Sequence, residues 1–132
     1  MKQEDLVREV FYRQYQAHFG AVGRDELEPE DFYLTREKDG EVQGLLHAQK
    51  ILENIHIKAL VVAESYQGQG LGSELIRELE SVARDKGASS ITLSTKSYQA
   101  KDFYLKMAYE MYASLDDVPR KGLTKYHFIK RL

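Results

Sequence analysis

The sequence predicts a mixed α/β fold, with a central, mostly antiparallel sheet that holds one parallel strand pair and is flanked by helices. Three observations point there. Between residues 31 and 62, short runs alternate apolar with polar side chains at the period of half-buried strands. Three alternate glycines, Gly68, Gly70 and Gly72, then follow a β-branched run and open an amphipathic helical pattern. A further strand pattern at 90 to 95 comes after that helix, and strands joined by such a crossover lie parallel. At 132 residues the chain is long enough for one core but too short for a substrate domain beside a cofactor domain, so residues 1–132 read as a single domain.

Taken in order, Leu6, Val7, Val10, Phe11, Tyr15 and Phe19 recur at the three-and-four spacing of an amphipathic helix over residues 3 to 19. Glu4 and Asp5 suit its positive N-terminal end, and Gly20 and Gly23 stop it before a polar loop through Pro29. Residues 31 to 37 and 41 to 49 read as the arms of a hairpin, because Asp39-Gly40 between them suits a turn that needs positive φ. A short turn at 52 to 54 leads to a strand at 55 to 62. Strict alternation there puts Ile57, Ala59 and Val61 on one face and His56, Lys58, Leu60 and Val62 on the other. After the glycines, Leu71, Leu75, Ile76, Leu79, Val82 and Ala83 form one apolar stripe, and Gly87 ends the helix. A short helix at 98 to 107 and strands at 109 to 115 and 125 to 130 complete the chain. Asp116, Asp117, Pro119 and Gly122 mark the connection between those last two strands.

Composition narrows the function classes. Lys and Arg total 19 against 21 Asp and Glu, a net charge of -2, which argues against bulk electrostatic capture of nucleic acid or an anionic membrane; neither is expected as a partner. With no cysteine there is no disulfide framework, no thiolate nucleophile and no Cys-based zinc site. The four histidines lack metal-motif spacing, so no metal is expected. No apolar stretch approaches the roughly 18 residues that span a bilayer, and Met1 to Asp5 begins no signal peptide, so a cytoplasmic location is expected.

The glycine turn is where a ligand is expected. Glycines let the backbone take angles closed to other residues and let a ligand approach the amides, while the helix they open turns its unpaired N–H groups and positive dipole end to the same place. Something anionic should sit there. The dinucleotide pattern G-x-G-x-x-G fails, because Ser73 takes the place of the third glycine and antiparallel strands precede the turn; no G-x-x-x-x-G-K-[ST] occurs either. The bland reading is a tight strand-to-helix turn with no ligand.

Two segments weigh against the bland reading. Gln67, Gly70 and Gly72 stand as Q-x-x-G-x-G after V-V-A-E-S-Y. Downstream, Q-A-K-D-F-Y-L-K-M-A-Y-E carries Ala100, Phe103, Tyr104 and Tyr109 in the pattern A-x-x-F-Y-x-x-x-G-[FY]. This pair of motifs resembles the GCN5-related N-acetyltransferase (GNAT) family over about residues 31 to 132, and L-S-T-K-S-Y-Q-A-K-D-F-Y with K-Y-H-F-I-K-R-L is similar to small bacterial members. The resemblance implies the GNAT-type acyl-CoA N-acyltransferase fold, whose sheet splays between the strands at 55 to 62 and 90 to 95, and acetyl-CoA as cosubstrate. It implies direct transfer to an amine. Gln67, Gly68, Gln69, Gly70, Leu71, Gly72 and Ser73 would hold the pyrophosphate, and Leu60, Val61 and Val62 would meet the pantetheine arm and supply an oxyanion donor.

Tyr104 falls on the position of the family's sulfur-protonating acid; its competing reading is a partly buried aromatic, a packing role that Phe103 is expected to fill. His56 is the candidate general base, with a pKa range suited to the task, against a strand histidine that only packs or hydrogen-bonds. Glu64 and His47 are further candidates near the same face. Departures from the family pattern are Ala108 for a usual glycine, Ser97 for a common asparagine, and Lys58 and Ser94 where similar bacterial members carry aspartates. A lysine there disfavours a cationic acceptor and fits one that bears a carboxylate or phosphate, unless Lys58 simply points to solvent. The expected acceptor is a small-molecule primary amine and the expected assembly a monomer or homodimer. The alternative is a catalytically weak or inactive acyl-CoA-binding sensor.

Overall fold

The structure, a computed structural model, describes residues 1–21 and 23–132; Val22, within the expected polar loop, and the Arg24 side chain lie outside the described residues. Helix α1 (Gln3–Phe19) and a 3₁₀ turn (Arg24–Leu27) precede strands β1 (Glu30–Lys38), β2 (Glu41–Ile51) and β3 (Asn54–Val62). A second 3₁₀ turn (Glu64–Tyr66) leads to α2 (Leu71–Asp85), β4 (Ser90–Lys96), α3 (Lys101–Lys106), β5 (Glu110–Asp116) and β6 (Thr124–Arg131). The six strands form one sheet in the order β1-β2-β3-β4-β6-β5. Only β3 and β4 run parallel, as the α2 crossover requires.

Local chemistry explains each join. Asp39 and Gly40 both take positive φ, 52° and 80°, the two-residue turn whose twist matches an antiparallel hairpin. At the end of α2, Gly87 has φ 77°, Ala88 N–H reaches back to Ala83 O at 2.9 Å, and Gly87 N–H reaches Arg84 O at 3.0 Å, which satisfies carbonyls the helix would leave open. Leu75, Ile76, Leu79 and Ala83 of α2 are fully buried against Leu46, Ala48, Ile55, Ile91 and Phe128 of the sheet. Each large side chain buried this way contributes about 1.5–3 kcal/mol. Glu80 is also buried on α2. Lys130 Nζ donates to both of its oxygens at 3.1 and 3.0 Å, and Tyr109 Oη donates at 3.1 Å.

Two features differ from the sequence reading and both matter for the site. In the β2–β3 ladder Ala48 pairs with Ile57 and His47 with Ala59, so Lys58 is an extra residue, a β-bulge. Strict alternation therefore breaks: beyond the bulge Leu60 and Val62 turn to the α2 side, with Ile55 and Ile57, instead of sharing a face with His56 and Lys58. Val61 is 57% exposed on the opposite face. Helix α1 forms as expected, yet none of its residues is buried, and Leu6, Val7, Val10, Phe11 and Phe19 stay exposed. The helix expected at 98 to 107 shortens to α3, because Ser97 and residues 98–100 form a turn held by Gln99 N–H on Lys96 O at 2.9 Å.

Candidate active site

The turn after β3 is built to leave backbone donors free. Gly68 and Gly70 take φ of 80° and 84°, and Gly70 immediately precedes α2. No side chain caps that helix end, and among the described residues the amides of 68–73 donate to no backbone carbonyl. Unpaired N–H groups and the positive end of a 15-residue helix converge there, a combination that suits a phosphate. A Cβ on Gly68 or Gly70 would meet nothing within 4 Å, so conformation, not space, calls for glycine. Gly72 works differently: it has no left-handed φ, and a Cβ there would stand 3.5 Å from the Phe103 ring. Gln67 Nε2 donates to Val62 O at 3.0 Å and Tyr66 Oη to Glu41 at 3.1 Å, tying the turn to the ends of β3 and β2.

A cavity of about 560 Å³ opens beside these amides. Leu60 and Val62 of β3, Tyr66, Gln67, Gly68 and Gly70 of the turn, Leu71, Gly72 and Ser73 of α2, and Ala100 and Phe103 form its walls. The cavity borders the gap between β3 and β4. Those strands pair only over 54–56 and 90–92 and then part, so the β4-side edge of β3 from 57 to 62 has no strand partner. Ala63 N–H donates to Gln43 O on β2, and backbone groups alternate along a strand, so Val61 also turns toward β2 while the N–H and C=O of Leu60 and Val62 face the gap. Of the ten residues expected to hold the cofactor, Val61 and Gln69 do not line the cavity. A larger cavity of about 960 Å³ lies between α1, residues 27–29 and Ile51, and gathers none of the predicted site residues.

Phe103 and Tyr104, neighbours on α3, are placed differently. Phe103 borders the cavity, whereas Tyr104 is 5% exposed, its ring packed at 5.1 to 5.8 Å from Phe103, Tyr109 and Phe128. Burial pushes the Tyr104 phenol up to about 12, so it stays protonated through the neutral range. Its hydroxyl bonds to none of the described residues. Among the described residues no side-chain N or O atom fully closed off from solvent lacks a partner, so that hydroxyl retains some solvent contact, although Tyr104 does not line the cavity. Ala108 takes φ 67°, the strained position where the family pattern has glycine.

On the sheet face away from α2, His56 sits at the point where β3 and β4 part. Asn54 Nδ2 donates to Ser90 Oγ at 2.9 Å, which turns Asn54 Oδ1 toward Thr92, whose hydroxyl donates to it at 3.3 Å. Thr92 Oγ1 also lies 2.9 Å from His56 Nδ1, and a hydroxyl has one proton, so when that proton is on Asn54 Oδ1 the ring donates in this contact. In that tautomer His56 carries its proton on Nδ1 and a lone pair on Nε2. Burial, then the charges of Lys58, His127 and Lys125, lower its pKa below the ordinary 6.5, which keeps that lone pair free at neutral pH.

Lys58 does not simply point to solvent: its Nζ lies 4.0 Å from Asp31 Oδ1, a long and exposed pair of small worth. Asp31 also contacts His47 Nε2 at 2.8 Å and accepts from Gln49 at 3.3 Å, and the His47 bond, chief among these, holds its carboxyl below the ordinary value. The His47 ring stacks on Tyr33 with centroids 4.4 Å apart. Ser94, half-buried across the gap, opposes His127 on β6. Glu64 is exposed in the 3₁₀ turn after β3. Asn54, Thr92 and Asp31 were not singled out from the sequence; only the β3–β4 register, His56 opposite Thr92, brings the first two to the histidine. Among the described residues no cluster of three His, Asp or Glu side chains forms a metal site, and no helix is long and apolar enough to cross a membrane.

Comparison with known proteins bears on this arrangement. The model of the Acetyltransferase (GNAT) family matches residues 3–109. The chain is 33% identical over 110 residues to blasticidin-S acetyltransferase of Streptomyces morookaense, covering 81% of this chain and 80% of that protein. It is 36% identical over 104 residues to the aminoalkylphosphonate N-acetyltransferase of Salmonella typhimurium, covering 73% and 68%. The crystal structure of an acetyltransferase from Bacillus cereus superposes with a TM-score of 0.81 at 30% identity, over 100% of this chain and 94% of that one. With the splayed sheet, the glycine-opened helix and these relatives in agreement, the chain belongs to the GNAT acetyltransferase family, enzymes that draw their acetyl group from acetyl-CoA.

Proposed function

We propose that this enzyme acetylates the primary amine of a small molecule by direct transfer. The observation that supports it most is the run of unpaired amides at 68–73, which ends at a cavity opening onto the parted strands β3 and β4. Acetyl-CoA supplies an activated thioester. In this reading the amides of 68–73 and the α2 dipole bind its pyrophosphate, and Leu60 and Val62 meet the pantetheine arm with the backbone edge left free by β4. One of their N–H groups, aimed into the gap, stabilises the developing oxyanion. His56 Nε2 takes the proton of the attacking amine, with Thr92 and Asn54 holding the ring, and the Tyr104 hydroxyl protonates the departing sulfur. That the relatives are named for small molecules, blasticidin S and aminoalkylphosphonates, supports a small acceptor here.

The test is thiol release from acetyl-CoA over a panel of amines. Tyr104→Phe is expected to lower turnover by at least about tenfold, the lower end of acid–base contributions being 10²-fold, while acetyl-CoA affinity changes less than about twofold. An unchanged rate removes Tyr104 from the chemistry. Acetyl-CoA binding without turnover on any amine would favour the sensor reading instead.

A further inference from the structure

The charges around the parted strands are one-sided. Strands β3, β4 and β6 contain no Asp or Glu, yet Lys58 sits on the bulge of β3, and Lys96 and Lys125 sit at opposed positions on β4 and β6. Directly opposed residues share a sheet face, so Lys96 and Lys125 lie side by side with Ser94 and His127 next along that face. Like charges placed this way repel. Neither lysine forms an ion pair among the described residues: Asp116 on β5, one register step from Lys125, accepts from the Thr124 hydroxyl at 3.1 Å, and Asp31 on β1, beside Lys58, is engaged by His47 and Gln49. The fold thus holds two lysines without an ion pair among the described residues on one lip of the cleft and Lys58 on the other, with His56 where the lips meet.

We propose that the acceptor is an amine that also carries an oxyanion group, a carboxylate, phosphonate or phosphate, and that Lys58 and Lys125 clasp that group from opposite lips of the cleft. Lys96 adds to the field beside Lys125, and His127 stands between them and His56. The inference rests on the acetyl-transfer reading above and names its substrate class. The same positive field has a chemical use. An amine attacks only when neutral, and a cationic surrounding disfavours its ammonium form, just as the charges of Lys58, His127 and Lys125 add to burial in lowering the His56 pKa. The anionic group draws the molecule in, and the field helps strip the proton from its other end.

Matched short primary amines ending in a carboxylate, a phosphonate, a hydroxyl or a second amine provide the test, with thiol release as readout at low and high salt. The expected result is that kcat/KM for the anionic acceptors exceeds that of the amino alcohol by roughly tenfold, with the diamine poorest and the preference shrinking as salt rises. Lys58→Met and Lys125→Met should each cut the anionic-to-neutral ratio by roughly fivefold. Acetyl-CoA affinity of the same variants separates the two sources of the anion. If that affinity falls while acceptor preference stays, the lysines serve a phosphate of the cofactor and the proposal is overturned. It is equally overturned if neutral or dicationic amines are acetylated as fast as anionic ones. Should acetyl-CoA bind but no amine turn over, the acetyl-transfer reading fails, and calorimetry with coenzyme A and the aminophosphonate against the amino alcohol still decides the anion site: equal binding of the two overturns it.

Discussion

Thr92 carries no motif, yet its single proton decides which nitrogen of His56 is free. With that proton given to Asn54, the ring must donate from Nδ1 and keep its lone pair on Nε2. If His56 is the base proposed above, removing the hydroxyl should act through it and leave the binding of acetyl-CoA alone. Thr92→Val is expected to lower kcat/KM by roughly tenfold, a part of the 10²–10⁴ that a positioned base supplies, and Thr92→Ser to restore most of it. The pH profile offers a second reading. The acid limb of kcat/KM reports the free enzyme's base, so with the His56 pKa lowered by burial and neighbouring cations it should lie below pH 6.5; activity is lost as pH falls through that point. A limb that survives in His56→Ala at the same pH would remove the histidine from the mechanism.

At the scale of the elements, the last short helix is held in place by a charge inside the protein. Glu80 of α2 is 8% exposed and bonds Lys130 of β6 and Tyr109 just before β5, and Lys130 Nζ also donates to Met107 O at 3.2 Å, just after α3. This network joins the crossover helix, the last strand and the segment that carries Tyr104. Lys130→Met keeps the volume but leaves Glu80 buried without its cation. A loss of roughly 2–3 kcal/mol is expected, read as a lower urea midpoint with an unchanged m value. The sequence stripe on α2 placed the apolar residues of this interface correctly but offered no sign of Glu80, because a single acid among them reads as an ordinary surface residue. The bulge in β3 was hidden for a related reason: I-H-I-K-A-L-V-V alternates well enough to be taken as regular, and only pairing with β2 reveals Lys58 as the extra residue. Leu60 and Val62 thereby reach the cavity from the side opposite to the one expected.

Across the whole molecule, order and pairing of elements follow from short-range signals: Asp39-Gly40 for the hairpin, the glycine turn and Gly87 for the crossover helix, and the crossover itself for the parallel pair. The candidate site's turn was legible where it rests on backbone, at Gly68 and Gly70, since positive φ leaves a mark in the sequence. It was not legible where it rests on side chains from separate strands, as with Asn54, Thr92 and Asp31, whose meeting depends on register. Helix α1 is a different case. Its apolar spacing is real, but spacing tells only that one face is apolar, not that the fold covers it.

On the proposed reading, free amides at the α2 N-terminus hold acetyl-CoA beside the parted strands. Gly70→Val tests it most directly, because Gly70 stands at φ 84° with open space around it, so the substitution disturbs the turn and not the core. A β-branched residue in that conformation costs roughly 1–2 kcal/mol or more and pulls the amides out of line. Calorimetric titration of acetyl-CoA into the natural enzyme and into this variant, with far-UV circular dichroism matched between them, should show affinity at least about tenfold weaker in the variant. Equal affinity in the two proteins, or no binding to the natural enzyme, would contradict the account.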